Sequence, residues 1–237
     1  MAHYPFRRLQ SDLAELIASL PPESKLPSEP ALALQLKVSR ATLREAMRSF
    51  EGQGLIRRRQ GVGTFVVAQV PVLETGLEVL ESIERLAQRI GLAVSAGELQ
   101  IVELLAEEEC ASALDVSLAT QLTRVSRVIY ADSRPIAYLV DTLPADVLPA
   151  DALGDKFTGS VLDLLLARGT PALSHSRTDI KAVGASPEVA RKLQIQRDDV
   201  LLYFAASLYA TSGRVVDYSF SYFLPGYFRF HVVRRVG

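Results

Sequence analysis

Only Lys37, Val38 and Ser39 separate two stretches of helical pattern in this chain, and that interval constrains the fold more than any other feature. Upstream, LPSEPALALQL puts Ser28 where its hydroxyl can cap a helix, and Pro30 falls in the first turn, where a missing N–H costs nothing. The pattern predicts a short helix over about 29–36. Downstream, Ser39 is again a capping residue. Leu43, Ala46, Met47 and Phe50 recur at three and four, which predicts a helix running to about residue 53. So short a spacer permits only a tight turn, so the two helices form a helix-turn-helix. An earlier stripe of Phe6, Leu9, Leu13, Leu16, Ile17 and Leu20, stopped by Pro21-Pro22, predicts a third helix over 6–20.

In the second helix of the pair, Arg40, Arg44 and Arg48 stand at steps of four on a face away from the apolar stripe. Such a face can be a solvated surface paired with Glu45 and Glu51. It can also be the face that enters a DNA major groove, with Ser39, Arg40, Thr42 and Arg44 foremost. The arginine fork matches guanine O6 and N7 together, while hydroxyls and free helix N–H groups suit phosphate. Gly54 ends the helix, and the following residues 55–59 and 64–67 read as two strands joined by Gln60-Gly61-Val62-Gly63, a basic hairpin with a glycine tip. Glycine there lets backbone approach a phosphate or the minor groove closely. GVG lacks the spacing and following helix of a nucleotide-binding loop. Charge supports the division of labour: residues 1–68 hold 10 Lys+Arg against 6 Asp+Glu (+4), and the rest hold 16 against 21 (−5), hidden in a net charge of −1.

Four motifs in order, LPSE at 26–29, SRATLREAM at 39–47, GLIRR at 54–58 and GVGTFV at 61–66, resemble the winged helix-turn-helix of the GntR family of bacterial transcription regulators. The resemblance implies DNA contacts from Ser28, Ser39, Arg40, Thr42, Arg44, Arg48 and Arg58, with Gln60, Gly61 and Gly63 at the wing tip. One position departs: the residue after the LPSE glutamate is usually Arg or Asn and helps to read a guanine, whereas here it is Pro30. Either operator preference is altered at that base, or affinity leans more on Arg40, Arg44 and the wing.

The segment 68–74, with Pro71 inside it, interrupts the periodic patterns. It divides the chain into a DNA-binding domain at 1–68, a linker at 69–75 and a larger domain at 76–237. A helical pattern over 76–90 opens that domain. Strands are predicted at about 98–104, 122–131, 135–143, 173–182, 200–211, 215–223 and 228–234, with short helices at about 106–114, 160–167 and 187–193. The order predicts an α+β fold on an antiparallel sheet. RVSRVIYADSRPIAYLVDTLP at 124–144, SVLDLLLARG at 160–169 and GRVVDYSFSYFLPGYFRF at 213–230 resemble the UTRA effector-binding domain of the HutC subfamily. That implies a chorismate-lyase-like fold without the lyase chemistry, a small molecule bound in a cleft, and dimerisation through the sheet.

Carried over residue by residue, the resemblance places Arg127, Ser160, Ser82 and Asp217 at effector contacts. Three positions that are polar in many relatives are Ile129, Leu139 and Leu162 here, so the expected effector is less highly charged than a sugar phosphate, with Tyr138, Asp141, Arg177 and Tyr222 as further contacts. Ion pairing is the other reading of Arg127 and Arg177, and strand packing that of the tyrosines. The whole reads as a regulator of transcription, a repressor released by a metabolite, acting as a homodimer on an inverted-repeat operator in duplex DNA. The alternative is a lyase-like enzyme tethered to DNA. No glycine-framed nucleophile turn surrounds Ser160, and His175 and Asp179 lie on one strand, so a triad is not expected. His3 and His231 are isolated, which gives no metal site, and no cofactor is expected. With one cysteine, no signal peptide and no apolar run of about 20 residues, the expected location is the cytoplasm, away from membranes.

Overall fold

The computed structural model describes residues 3–52, 54–59, 61–67, 72–153, 157 and 159–235. The chain divides into two compact units, residues 1–72 with 224–228 and residues 73–223 with 229–237.

In the first unit, helices α1 (His3–Ser19), α2 (Glu29–Gln35) and α3 (Arg40–Gly52) converge on one core. Leu9, Leu13 and Ile17 meet Leu32 and Ala33, and Leu43, Ala46, Met47 and Phe50 close it from α3. At about 1.5–3 kcal/mol for each large side chain removed from water, this stripe-on-stripe contact holds the three helices together. Gly54 follows α3 at φ +69, and strands β1 (Ile56–Arg59) and β2 (Gly63–Val66) form the antiparallel wing, with Ile56 opposite Val66 and Arg59 opposite Gly63. Leu26 N–H donates to the Thr64 carbonyl at 2.8 Å, which ties the segment before α2 to the wing.

In the second unit, the segment 69–75 expected as linker already contains structure, because β3 (Leu73–Gly76) pairs with β10 (Phe228–His231). Residues 68–71 lie outside the described residues. The helix expected from residue 76 begins only at Ile83, where Ser82 accepts a hydrogen bond from Arg85 N–H at 3.2 Å and caps α4 (Ile83–Arg89). Leu77 and Leu80, which supplied the earlier part of the pattern, are exposed.

Six strands follow: β4 (Val94–Leu105), β5 (Gln121–Ala131), β6 (Arg134–Pro144), β7 (Leu173–Gly184), β8 (Val200–Ala210) and β9 (Val215–Phe223). They form one sheet in the order β4-β5-β6-β9-β8-β7, antiparallel throughout. Helix α6 (Val161–Arg168) buries Val161 and Leu165 against Val125, Leu143, Leu208 and Val216. Helix α5 (Glu108–Leu114) buries Ala111 and Leu114 against Leu122 and Val215. Leu122 and Val125 are an odd number of residues apart on β5, so the two helices cover opposite faces of the sheet. Helix α7 (Pro187–Leu193) joins α5 on its face: Lys192 Nζ stands 6.0 Å from the ring centre of Tyr138, a neighbour in sequence of residues that face α6.

Candidate DNA-binding surface and effector pocket

At the start of α3, Ser39 Oγ accepts from Thr42 N–H at 3.1 Å and lies 2.8 Å from the Thr42 hydroxyl. Ser28 does the same for α2, accepting from Ala31 N–H at 3.4 Å, with Pro30 in the first turn. Arg40, Arg44 and Arg48 are exposed. Glu29, a motif residue to which sequence reasoning gave no role, grips two cations: Arg44 Nε donates to Oε2 at 2.7 Å and an Arg58 guanidinium nitrogen donates to Oε1 at 2.7 Å. Glu29 thereby sets one arginine of the recognition helix and one of the wing at a common bearing. Arg59 stacks on Phe65 at 4.9 Å.

These groups enclose a groove of about 460 Å³ between α3 and the wing, lined by Ser28, Arg40, Arg44, Arg58, Gly61 and Gly63 among others. Arg59 of the basic hairpin also lines it, as does Lys25, which sequence reasoning passed over. Ser39 and Thr42 act at the helix start beside it, Arg48 lies further along α3, and Gln60 falls outside the described residues. Gly61 (φ +73) and Gly63 (φ +139) hold conformations that a side chain would strain, so the wing tip presents bare backbone on either side of the exposed Val62.

The second site lies on the α6 face of the sheet. Arg127 is 5% exposed, and one guanidinium nitrogen is held by the carboxylate of Asp141 on the neighbouring strand, while its Nε has no partner. Asp217 is also 5% exposed and accepts from Thr142 N–H at 3.2 Å. Burial pushes its carboxyl well above the usual range; Asp141 adds to that, and the Ser219 hydroxyl and Arg127 oppose it. From α6, Ser160 accepts from Asp163 N–H at 3.1 Å, and Asp163 accepts from Ser82 Oγ at 2.7 Å and pairs with Arg85 at 2.7 Å. Glu84 brings a buried carboxylate oxygen without a partner, and burial raises its pKa as well.

Thus Ser82, Arg127, Asp141, Ser160 and Asp217 lie on one side of the sheet, and Glu84, Arg85 and Asp163 join them there. Tyr138, Tyr222 and Arg177 do not. Arg127 lies opposite Leu139 and Val128 opposite Tyr138, so Tyr138 shares a face with Val128 and not with Arg127. Tyr138 stacks on Tyr222 at 6.1 Å, and Arg177 sits on the exposed edge strand opposite Ser207. The signal was present in parity: Tyr138 and Asp141 are three apart on one strand, Asp217 and Tyr222 five apart on another, and odd spacings separate faces. His175 stacks on Tyr209 at 4.7 Å on the α5 face, whereas Ser160 caps α6 on the other face.

A winged helix-turn-helix followed by an antiparallel sheet with a buried polar cluster on one face defines a two-module transcription regulator. The chain belongs to the GntR family of bacterial regulatory proteins, whose description it matches over residues 6–66, and its second module is a UTRA domain over residues 90–229. Among its relatives, the histidine utilization repressor of Pseudomonas aeruginosa is 31% identical over 198 residues, covering 82% of this chain and 76% of that one. The transcriptional repressor NagR of Bacillus subtilis is 26% identical over 200 residues, 84% of this chain and 81% of that one. The fold is that of PhnF from Mycobacterium smegmatis, with a TM-score of 0.65 at 21% identity over 97% of this chain and 100% of that one. The family consists of regulators and not enzymes, which sets the tethered-lyase alternative aside. No helix among the described residues is long and apolar enough to cross a membrane.

Proposed function

We propose that the protein is a cytoplasmic homodimeric repressor that binds an inverted-repeat operator and leaves it when a small metabolite fills the pocket around Arg127, Asp141, Asp217, Ser82 and Ser160. The observation that carries the DNA half is the groove between α3 and the wing, where Arg40, Arg44, Arg58, Arg59 and Lys25 concentrate positive charge beside the tip formed by Gly61, Val62 and Gly63. Two such grooves related by a dimer axis present recognition helices about 34 Å apart, one turn of duplex. Pairing through the sheet is supported by edge strand β4, which leaves Leu99, Ile101, Val102 and Leu105 exposed. An apolar edge of this kind requires cover. The names of the relatives support repression as the sign of control. Effector and operator then compete through two arrangements of the chain, with a coupling of about 1 to 3 kcal/mol.

The test is Arg40→Ala and Arg44→Ala in a titration against a selected operator. Each loses about 1 to 3 kcal/mol of sequence-specific affinity, while binding to random duplex falls far less. Specific affinity within about twofold of wild type for both variants would remove the recognition-helix assignment.

A further inference from the structure

Five cations among the described residues line the groove between α3 and the wing, and three of them are already committed within the protein. Arg44 and Arg58 take one oxygen each of the Glu29 carboxylate, both at 2.7 Å. Arg59 lies over the Phe65 ring and 3.7 Å from Glu23, which stands at the same distance from Arg57. Among the described residues no acid pairs with the other two, Arg40 and Lys25. They come from different elements: Arg40 opens the recognition helix, whereas Lys25 belongs to the segment before α2.

That segment runs antiparallel beside β2. Glu23 N–H donates to the Val66 carbonyl at 2.9 Å, Val66 N–H to the Ser24 carbonyl at 2.8 Å and Leu26 N–H to the Thr64 carbonyl at 2.8 Å, with Lys25 opposite Phe65. Backbone bonds on either side of Lys25 therefore fix where its side chain starts. From there the stem crosses Gly63, since a Cβ on that glycine comes 2.5 Å from Lys25 Cε and 3.3 Å from Nζ. The absence of a side chain at position 63 thus serves the lysine as well as the turn. The stem rests on the wing, and the residue stays exposed in the groove. An ammonium in this position is a point charge without the planar fork of arginine, and it suits a single phosphate.

We propose that Lys25 is a phosphate anchor of the operator complex: its ammonium takes one backbone phosphate beside the wing tip in each half-site, and Arg40, the other uncommitted cation, is left for the bases. This rests on the reading of the groove as the operator surface and adds a contact that sets affinity and register without reading sequence.

The experiment titrates the full chain against the selected operator and a random duplex over a series of salt concentrations. Lys25→Gln weakens binding to both by about threefold to tenfold at about 0.1 M salt and makes the slope of log affinity against log salt shallower by about 0.9 per half-site. Lys25→Arg keeps the slope, and neither variant changes the melting temperature, because the backbone bonds of the segment remain. Arg8→Gln, an exposed cation of α1 away from the groove, removes the same charge and moves the slope far less. Operators with one phosphate at a time replaced by a neutral methylphosphonate locate the contact: at the anchored position the replacement costs wild type several-fold in affinity and costs Lys25→Gln nothing further. A slope unaltered by Lys25→Gln overturns the proposal, as does an equal change in Arg8→Gln, a loss confined to the operator, or a scan in which no phosphate is silent in the variant alone. If wild type prefers no duplex sequence, the regulator reading falls and the anchor with it. If wild type prefers the operator and Lys25→Gln binds it equally well, the anchor alone is wrong.

Discussion

Asp217 shows how far one residue's role depends on what surrounds it. In the sequence it is an acid in a strand, and in the fold it is buried beside Asp141, which lifts its pKa above that of the unfolded chain. The neutral form is thereby favoured in the folded state, so its contribution to stability is complete below the unfolded pKa of about 3.9 and is lost as pH rises through the higher folded value. Asp217→Asn keeps an acceptor for Thr142 N–H and removes that loss. The variant therefore gains melting temperature over wild type near neutrality, and the gain shrinks towards zero in acid; thermal melts across pH check it. Glu29 is the matching case in the groove. Its ion pairs with Arg44 and Arg58 are partly exposed, so they contribute little to stability, and their effect is to aim two cations. Glu29→Ala lowers operator affinity by about threefold to tenfold with melting nearly unchanged, although it removes a negative charge from a DNA surface. Tighter binding in the titration would show that Glu29 only repels. LPSE identified the residue in the sequence, but its grip on residues 15 and 29 positions away appears only in the fold.

The elements were legible to different degrees. Helices α2 and α3 stand where capping serines and apolar spacing put them, because those signals act within a few residues. Strand β9 and helix α7 likewise occupy their expected spans. The helix expected from residue 76 failed because periodicity registers a repeating pattern without its cap. Ser82 halts α4 at Ile83, and Leu77 and Leu80 remain outside any apolar stripe. The wing offers a test at this scale. Gly63 has φ +139, and a Cβ there comes 2.5 Å from Lys25 Cε. The lysine tip can swing aside, but the backbone cannot, so Gly63→Ala costs about 1 kcal/mol or more in chemical denaturation. It also weakens operator binding by displacing the tip.

Over the whole molecule, the first unit is not a continuous piece of chain. Residues 224–228 group with it, and a Cβ on Gly54 comes 2.7 Å from the Tyr227 ring. Tyr227 is 6% exposed, so Tyr227→Ala leaves a cavity in the first unit and costs about 3 kcal/mol. Hydrogen exchange in the full chain reads this as faster exchange around Gly54 and the start of β1. No sequence signal joins positions so far apart, because periodicity, caps and turns are local, while a return of the chain is decided by which surfaces are left to bury. The sequence by itself determined the helix-turn-helix, the glycine-tipped wing, the alternation of the strands and the residue types at the pocket, since each follows from spacing and backbone chemistry within a turn or a strand. Only the tertiary structure decided which acids share a face with Arg127, that Glu29 joins helix to wing, and that Asp217 and Glu84 are left without counter-charges. Burial and charge balance belong to the assembled set of strands and helices and not to any one of them.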